Sequence, residues 1–287
     1  MIIVKFTDGM GNQMFQYAFY LALRYANPFN DIKVDLHELD CNFDSPIIFN
    51  IFKLQYNVAS TSDYNRLGCF NFWDRFKRRL GIRKKTVYVE RDEGVFDNRL
   101  VCNINNRYYQ GYWQSYKYFE SFRNDLLRYY KFPIPDNSNN HFIKLINKYQ
   151  NSVSLHVRMG DYLRDDCVKI FGNICTKDYY LNAVNYFRNR FGDCHFFLFS
   201  NDLNKAIDFL NMRDAKDVTV VDCNDEKNGW ADMYLMSLCR FNIIANSSFS
   251  WWGAWLNQNE SKVVIAPKKW LNTQEMPDIC PPDWIRI

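Results

Sequence analysis

Between residues 152 and 266, five short runs rich in β-branched and aromatic residues alternate with four stretches of helical periodicity. The runs are 152–157, 195–199, 218–221, 242–245 and 262–266, and the helical stretches are 177–191, 203–211, 230–240 and 249–257. This alternation predicts a parallel, doubly wound α/β sheet. Ligands of such sheets sit in the crevice beyond the carboxyl ends of the strands. The residues at those ends are Arg158, Gly160 and Asp161, then Ser200, Asn201 and Asp202, then Asp222, then Asn246, Ser247 and Ser248, and finally Pro267. Almost every one is polar, whereas the opposite ends, near Asn151, Asp193 and Ser261, read as plain turns.

The first half opens in the same way. A strand is expected over Ile2 to Phe6, then a loop from Thr7 to Asn12, then an amphipathic helix from Gln13 to Tyr25 with Met14, Ala18, Leu21, Ala22 and Tyr25 on one stripe. Gly9 and Gly11 in that loop either let the backbone approach a bound group or serve turn geometry alone. Beyond this point the alternation blurs, apart from a helix expected over Ser115 to Tyr130. Pro133, Pro135 and the polar run Asp136 to Asn140 read as an interdomain linker. The expected domains are therefore 1–135 and 136–287, consistent with a 287-residue chain at about 150 residues per domain.

A formal charge of +4 is too small to suggest a nucleic-acid partner. Its one concentrated basic run, Arg75 to Lys85, is either a solvated helix face or a patch for an anionic membrane surface or a lipid-linked substrate. Nine cysteines, odd in number and without a C-x-x-C pair, read as the reduced thiols of a cytosolic protein. No run of about 18 apolar residues occurs and the chain opens on a strand-like segment. A cytoplasmic protein is expected, with peripheral contact at the inner membrane face as the use for the basic run.

Three strand ends carry the chemistry. The run 242–245 hands into Asn246-Ser247-Ser248-Phe249-Ser250 and then Trp251-Trp252-Gly253-Ala254-Trp255, so a serine-opened helix begins where a strand ends. Free amides and a positive dipole end make such a junction an anion site. Arg158 sits at another end, where a planar permanent cation suits a diphosphate or, alternatively, closes a loop by pairing with Asp161. His156 lies on the same strand, either bonded to a base or phosphate or satisfied in the core. Asp202 and Asp222 are acceptors for a ribose or purine base, or else caps of the following helices. The chain lacks the G-x-x-x-x-G-K-[ST] and G-x-G-x-x-G patterns, which weakens ATPase and dehydrogenase readings. It also lacks D-x-D, and its four histidines are scattered. The expected mechanism is therefore free of metal and of any cofactor, with Arg158 and a helix dipole neutralising the leaving group.

Four segments resemble the bacterial α-1,2-fucosyltransferases of glycosyltransferase family 11. They are Gly9 to Ala18, His156 to Tyr162 (H-V-R-M-G-D-Y), Ser200-Asn201-Asp202 and Ala245 to Trp255. The resemblance covers nearly the whole chain in order. It implies a GT-B-like α/β fold of two Rossmann-like domains facing a cleft, mainly acceptor-side in 1–135 and GDP-sugar-binding in 136–287. It also implies GDP-β-L-fucose as donor, a galactose-terminated glycan as acceptor and inverting transfer to the galactose 2-hydroxyl. Arg158 is implied to hold the donor β-phosphate, with Asn246, Ser247, Ser248 and Phe249 lining the diphosphate and sugar. Gly11, Asn12 and Gln13 are implied to reach over as a loop, and His156 and Asp202 to lie near the nucleoside. Two departures stand out, Met159 in place of a frequent second arginine and Asp8-Gly9 in place of Gly-Gly.

A one-step inversion also calls for a base near the acceptor hydroxyl. Asp161 is the first choice, with pairing to Arg158 as its rival role, and Asp8 is the weaker one. A related transferase using another GDP-deoxysugar shares all these motifs. A non-catalytic carbohydrate-binding protein would instead use Tyr112, Trp113, Trp251, Trp252 and Trp255 as stacking platforms.

Overall fold

The computed structural model describes residues 1–42, 47–68, 86–102 and 104–287, with the backbone alone at 40–42, 161, 163 and 166. The basic run 75–85 lies outside the described residues. The chain divides into two compact units, Met1–Tyr130 and Lys131–Ile287.

In the first unit, strands β1 (Ile2–Lys5), β2 (Ile32–Asp35), β3 (Val87–Val89) and β4 (Arg107–Gln110) form a parallel sheet in the order β2-β1-β4-β3. The helix after β1 spans Met10–Ala26, three residues earlier than expected, and is buried on nearly every side through Leu23. Gly11, Asn12 and Gln13 are therefore the first turn of a helix and not a loop. Two glutamines brace that turn. Gln13 donates to the Asp8 carbonyl (2.8 Å) and accepts from the Ile48 amide (3.1 Å). Gln16 accepts from the Thr7 amide (3.0 Å) and donates to the Gly111 carbonyl (3.1 Å), joining the ends of β1 and β4. The helix expected over 115–130 is broken into 3-10 turns at Tyr116–Tyr118 and Glu120–Phe122 and a helix at Arg123–Tyr129. The break falls at Phe119, which leaves the helical region (φ −137°, ψ 5°) while its fully buried ring packs on Phe15.

The second unit holds β5 (Ser152–Val157), β6 (His195–Ser200), β7 (Val218–Val220), β8 (Phe241–Ile243), β9 (Val264–Ala266) and β10 (Ile285–Arg286). All are parallel, in the order β10-β9-β8-β5-β6-β7. Burial on both faces explains the near-continuous apolar runs. Along β6, Phe196 and Leu198 join Tyr180, Ala183 and Phe187 of the Lys177–Phe191 helix, whereas Phe197 and Phe199 join Phe142, Ile146 and Leu235 on the other face. Those last three come from helices Asn137–Lys148 and Gly229–Leu238. The first of these helices corrects the linker expected over 136–140. Asp136 caps it by accepting from the Asn139 amide (3.3 Å), so the polar run is a helix start and not a spacer.

The four tryptophans named for the carbohydrate-binding reading are core, which removes them as stacking platforms, while Tyr112 is half-buried. Trp113, Trp251 and Trp252 are 0% exposed and Trp255 is 4% exposed. The Trp251 indole donates to the Ile279 carbonyl (2.7 Å). A Cβ at Gly253 would stand 3.0 Å from Cβ of Met236, so the Ser248–Trp255 helix packs closely on Gly229–Leu238. Among the described residues, no helix is long and apolar enough to cross a membrane, and Cys102, Cys167, Cys175, Cys194, Cys223, Cys239 and Cys280 are free thiols.

Candidate active site

Because β5 lies between β6 and β8, their carboxyl ends place three of the expected segments side by side. After Val157 the chain runs through Arg158 and Met159 into Gly160, whose φ of +65° is a left-handed conformation suited to glycine. A Cβ at Gly160 would also stand 2.8 Å from Nδ2 of Asn201. Asn201, just past β6, clamps this turn with its side-chain amide, accepting from the Met159 amide (2.8 Å) and donating to the Met159 carbonyl (3.0 Å). Met159 itself is buried in the apolar cluster, so its side chain is part of the core.

The guanidinium carbon of Arg158 lies 5.5 Å from the centre of the Tyr162 ring. Tyr162 stacks on Phe171 (5.0 Å, 20°) and its hydroxyl donates to the Asn246 carbonyl (2.9 Å). Asn246 is buried and fully engaged. Its amide donates to the carbonyls of Phe171 and Trp270 (3.1 Å each), and its oxygen accepts from the Cys175 thiol (3.4 Å). This side chain is a brace. Immediately after it, Ser247 occupies the N-cap of Ser248–Trp255, and its hydroxyl accepts from none of the first amides. The expected serine cap is thus absent, and the helix start keeps the donors that an anion needs.

His156 is buried on β5, its ring centre 5.7 Å from that of Phe249, and Nδ1 has no hydrogen-bond partner among the described residues. Burial first, and then Arg158, pushes its pKa down to about 3. The imidazole is neutral at ordinary pH and can offer a hydrogen bond but not a positive charge. Asp202 caps the Leu203–Leu210 helix (3.2 Å to the Lys205 amide) and pairs with the Lys205 ammonium (2.7 Å). Asp222 is exposed, and Asp225 rather than Asp222 caps the next helical turn. Asp232, in the first turn of Gly229–Leu238, accepts from Nδ2 of Asn224 (2.7 Å), and burial pushes its pKa up to about 7. The Asp161 side chain lies outside the described residues, while its backbone belongs to the 3-10 turn Gly160–Leu163.

The first unit has a carboxylate of its own at the corresponding sheet end. Glu90, just past β3, accepts from the amides of Tyr112 (2.6 Å) and Trp113 (2.9 Å). Burial outweighs those two bonds and pushes its pKa up to about 7. The unfolded value is about 4.3, so the folded chain holds this proton more tightly. Its stabilising contribution is complete below about pH 4.3 and is lost as pH rises through about 7, the window in which Asp232 acts with the same sign. Glu90→Gln keeps an acceptor for the amides and cannot titrate. Its stability in urea, measured from pH 4 to 8, is expected to fall less steeply than that of the parent chain; equal slopes would remove Glu90 from this balance.

Sequence spacing did not single out Tyr162, Asn201 or Asn246 as braces, since their hydrogen-bond partners lie 24 to 84 residues away. The signal that was available is position: Tyr162 follows Arg158 by four residues, and Asn201 and Asn246 directly precede Asp202 and Ser247.

Two compact units, each built on a parallel α/β sheet, have the architecture of a GT-B glycosyltransferase fold. The chain belongs to glycosyl transferase family 11, whose model matches residues 1–287. It is 31% identical to an α-1,2-colitosyltransferase of Escherichia coli over 100% of this chain and 98% of that one. It is also 29% identical to the human galactoside α-(1,2)-fucosyltransferase 1, over 36% of this chain and 28% of that one. In fold it is similar to a mutant of Arabidopsis thaliana FUT1 solved in complex with GDP, with a TM-score of 0.51 and 11% identity over 92% of this chain and 70% of that one.

Proposed function

We propose that this glycosyltransferase moves L-fucose from GDP-β-L-fucose to the 2-hydroxyl of a terminal galactose, inverting the anomeric carbon without help from a metal ion. The observation that carries this reading is the pairing of Arg158 and the open start of Ser248–Trp255 on the ends of the adjacent strands β5 and β8. Together they offer a permanent cation and several amides to a diphosphate, whose negative charge grows as the sugar departs. The acceptor oxygen bonds to the anomeric carbon, the bond from that carbon to the β-phosphate oxygen breaks, and GDP leaves with the electron pair. The hydroxyl proton passes to a carboxylate, for which Asp161 is proposed. Neutral His156, Phe249 and the Asp232–Asn224 pair give the same rim groups suited to a base and ribose. A guanine edge carries N–H donors that a carboxylate can accept.

A second donor is favoured by one observation, the full-length likeness to a colitosyltransferase. Colitose lacks the 3-hydroxyl of fucose, so the two readings differ in one polar group on the transferred sugar. The deciding experiment incubates purified protein with GDP-fucose or GDP-colitose and galactose-ended acceptors, with and without EDTA, and reads the linkage by NMR. An α-1,2-fucosyl product formed equally in EDTA is the expected result. Preference for GDP-colitose would move the donor assignment, and loss of product in EDTA would sink the metal-free mechanism.

A further inference from the structure

We infer that Tyr162 is the positioning residue that sets the spacing between the two anion-holding elements of the donor site, an inference that rests on the reading of that site given above. One face of its ring lies 5.5 Å from the Arg158 guanidinium carbon, and the ring stacks on Phe171 at 5.0 Å. Its hydroxyl donates 2.9 Å to the carbonyl of Asn246, the residue before the N-cap of Ser248–Trp255. Both far contacts are themselves anchored, because the Asn246 amide is bonded to the carbonyls of Phe171 and Trp270. Tyr162 therefore ties a guanidinium just past β5 to the helix start that follows β8 through one rigid side chain with two rotatable bonds. A guanidinium held over an aromatic face directs its in-plane N–H groups away from the ring. A diphosphate bridging two holders is sensitive to their separation, because a displacement of about 1 Å lowers turnover by about 10²-fold.

The two parts of the side chain make separable predictions. Tyr162→Phe keeps the ring beside Arg158 and on Phe171 but releases the helix start. Tyr162→Leu removes both. In Tyr162→Leu, GDP binding by calorimetry is expected to weaken about tenfold and kcat to fall about 10²-fold. In Tyr162→Phe, GDP binding should stay within about threefold while kcat falls about tenfold, since the arginine is still held and only the helix start has drifted. A purely structural tyrosine would lower the melting temperature and the active fraction but leave kcat per folded molecule and GDP affinity where they were. The inference is overturned if folded Tyr162→Phe and Tyr162→Leu both match the parent in kcat and GDP affinity while the parent binds GDP. A parent chain that binds no GDP overturns the donor reading first, and the role of Tyr162 with it.

Discussion

Arg158→Ala is expected to lower kcat by about 10²–10³-fold, the loss seen when one preorganised donor to a developing charge is removed. The melting temperature should change little. Arg158 is half-buried at the sheet rim and belongs to none of the apolar clusters that hold the strands together. Its work falls on the departing diphosphate, where a fork of N–H groups can serve two oxygens at once. Lysine keeps the charge but offers a single point donor, so Arg158→Lys should recover only part of the loss. His156 cannot take over, because its neutral ring brings no charge. Single-turnover measurements with saturating donor, paired with melting curves, check both halves of the prediction. Residual turnover of Arg158→Ala within tenfold of the parent would show that the helix start alone carries the leaving group, and the proposed division of labour would have to be abandoned.

How much of this was legible in the chain depended on burial. In the second unit both faces of the sheet are covered, so strands appear as unbroken apolar runs and the Lys177–Phe191 helix was expected at the observed residues. In the first unit β2 reads Ile-Lys-Val-Asp and β4 reads Arg-Tyr-Tyr-Gln, short segments whose polar ends hide them among loops. The Asn137–Lys148 helix was hidden by its own cap, since Asp, Asn and Ser serve helix starts and linkers alike. Of the site, the rim position of Arg158 and the strand-to-helix junction at Ser247 followed from alternation alone. The bracing did not. Nothing in the sequence of Asn246 says that its amide is spent on Phe171 and Trp270, or that Asn201 serves the backbone of Met159, because those partnerships exist only once β5, β6 and β8 lie together.

That bracing makes Asn246 the position where a small change should unsettle the second unit most. Asn246→Ala strips the buried Trp270 carbonyl and the half-buried Phe171 carbonyl of a donor, leaves the Cys175 thiol without its acceptor and opens a void. The expected loss is about 3 kcal/mol from unsatisfied polar groups and lost packing, which for a unit of this size lowers the melting temperature by about 6–12 °C. Asn246→Asp is the sharper test, because it preserves shape and reverses chemistry. A carboxylate would face the oxygens of Phe171 and Trp270, whereas a protonated carboxyl could still donate to one of them. Burial and the two carbonyls should hold the folded pKa of this aspartate well above its unfolded value of about 3.9. Stability is then retained below that unfolded value and lost as pH climbs through the folded one. The gap between Asn246→Asp and the parent should accordingly widen from pH 5 to pH 8, while the gap for Asn246→Ala stays nearly constant. Denaturant melts of the three proteins at both pH values decide the matter. A constant gap for the aspartate variant would mean that the carbonyls are not confined against residue 246, and the rigid platform beneath the Ser248–Trp255 helix start would lose its explanation.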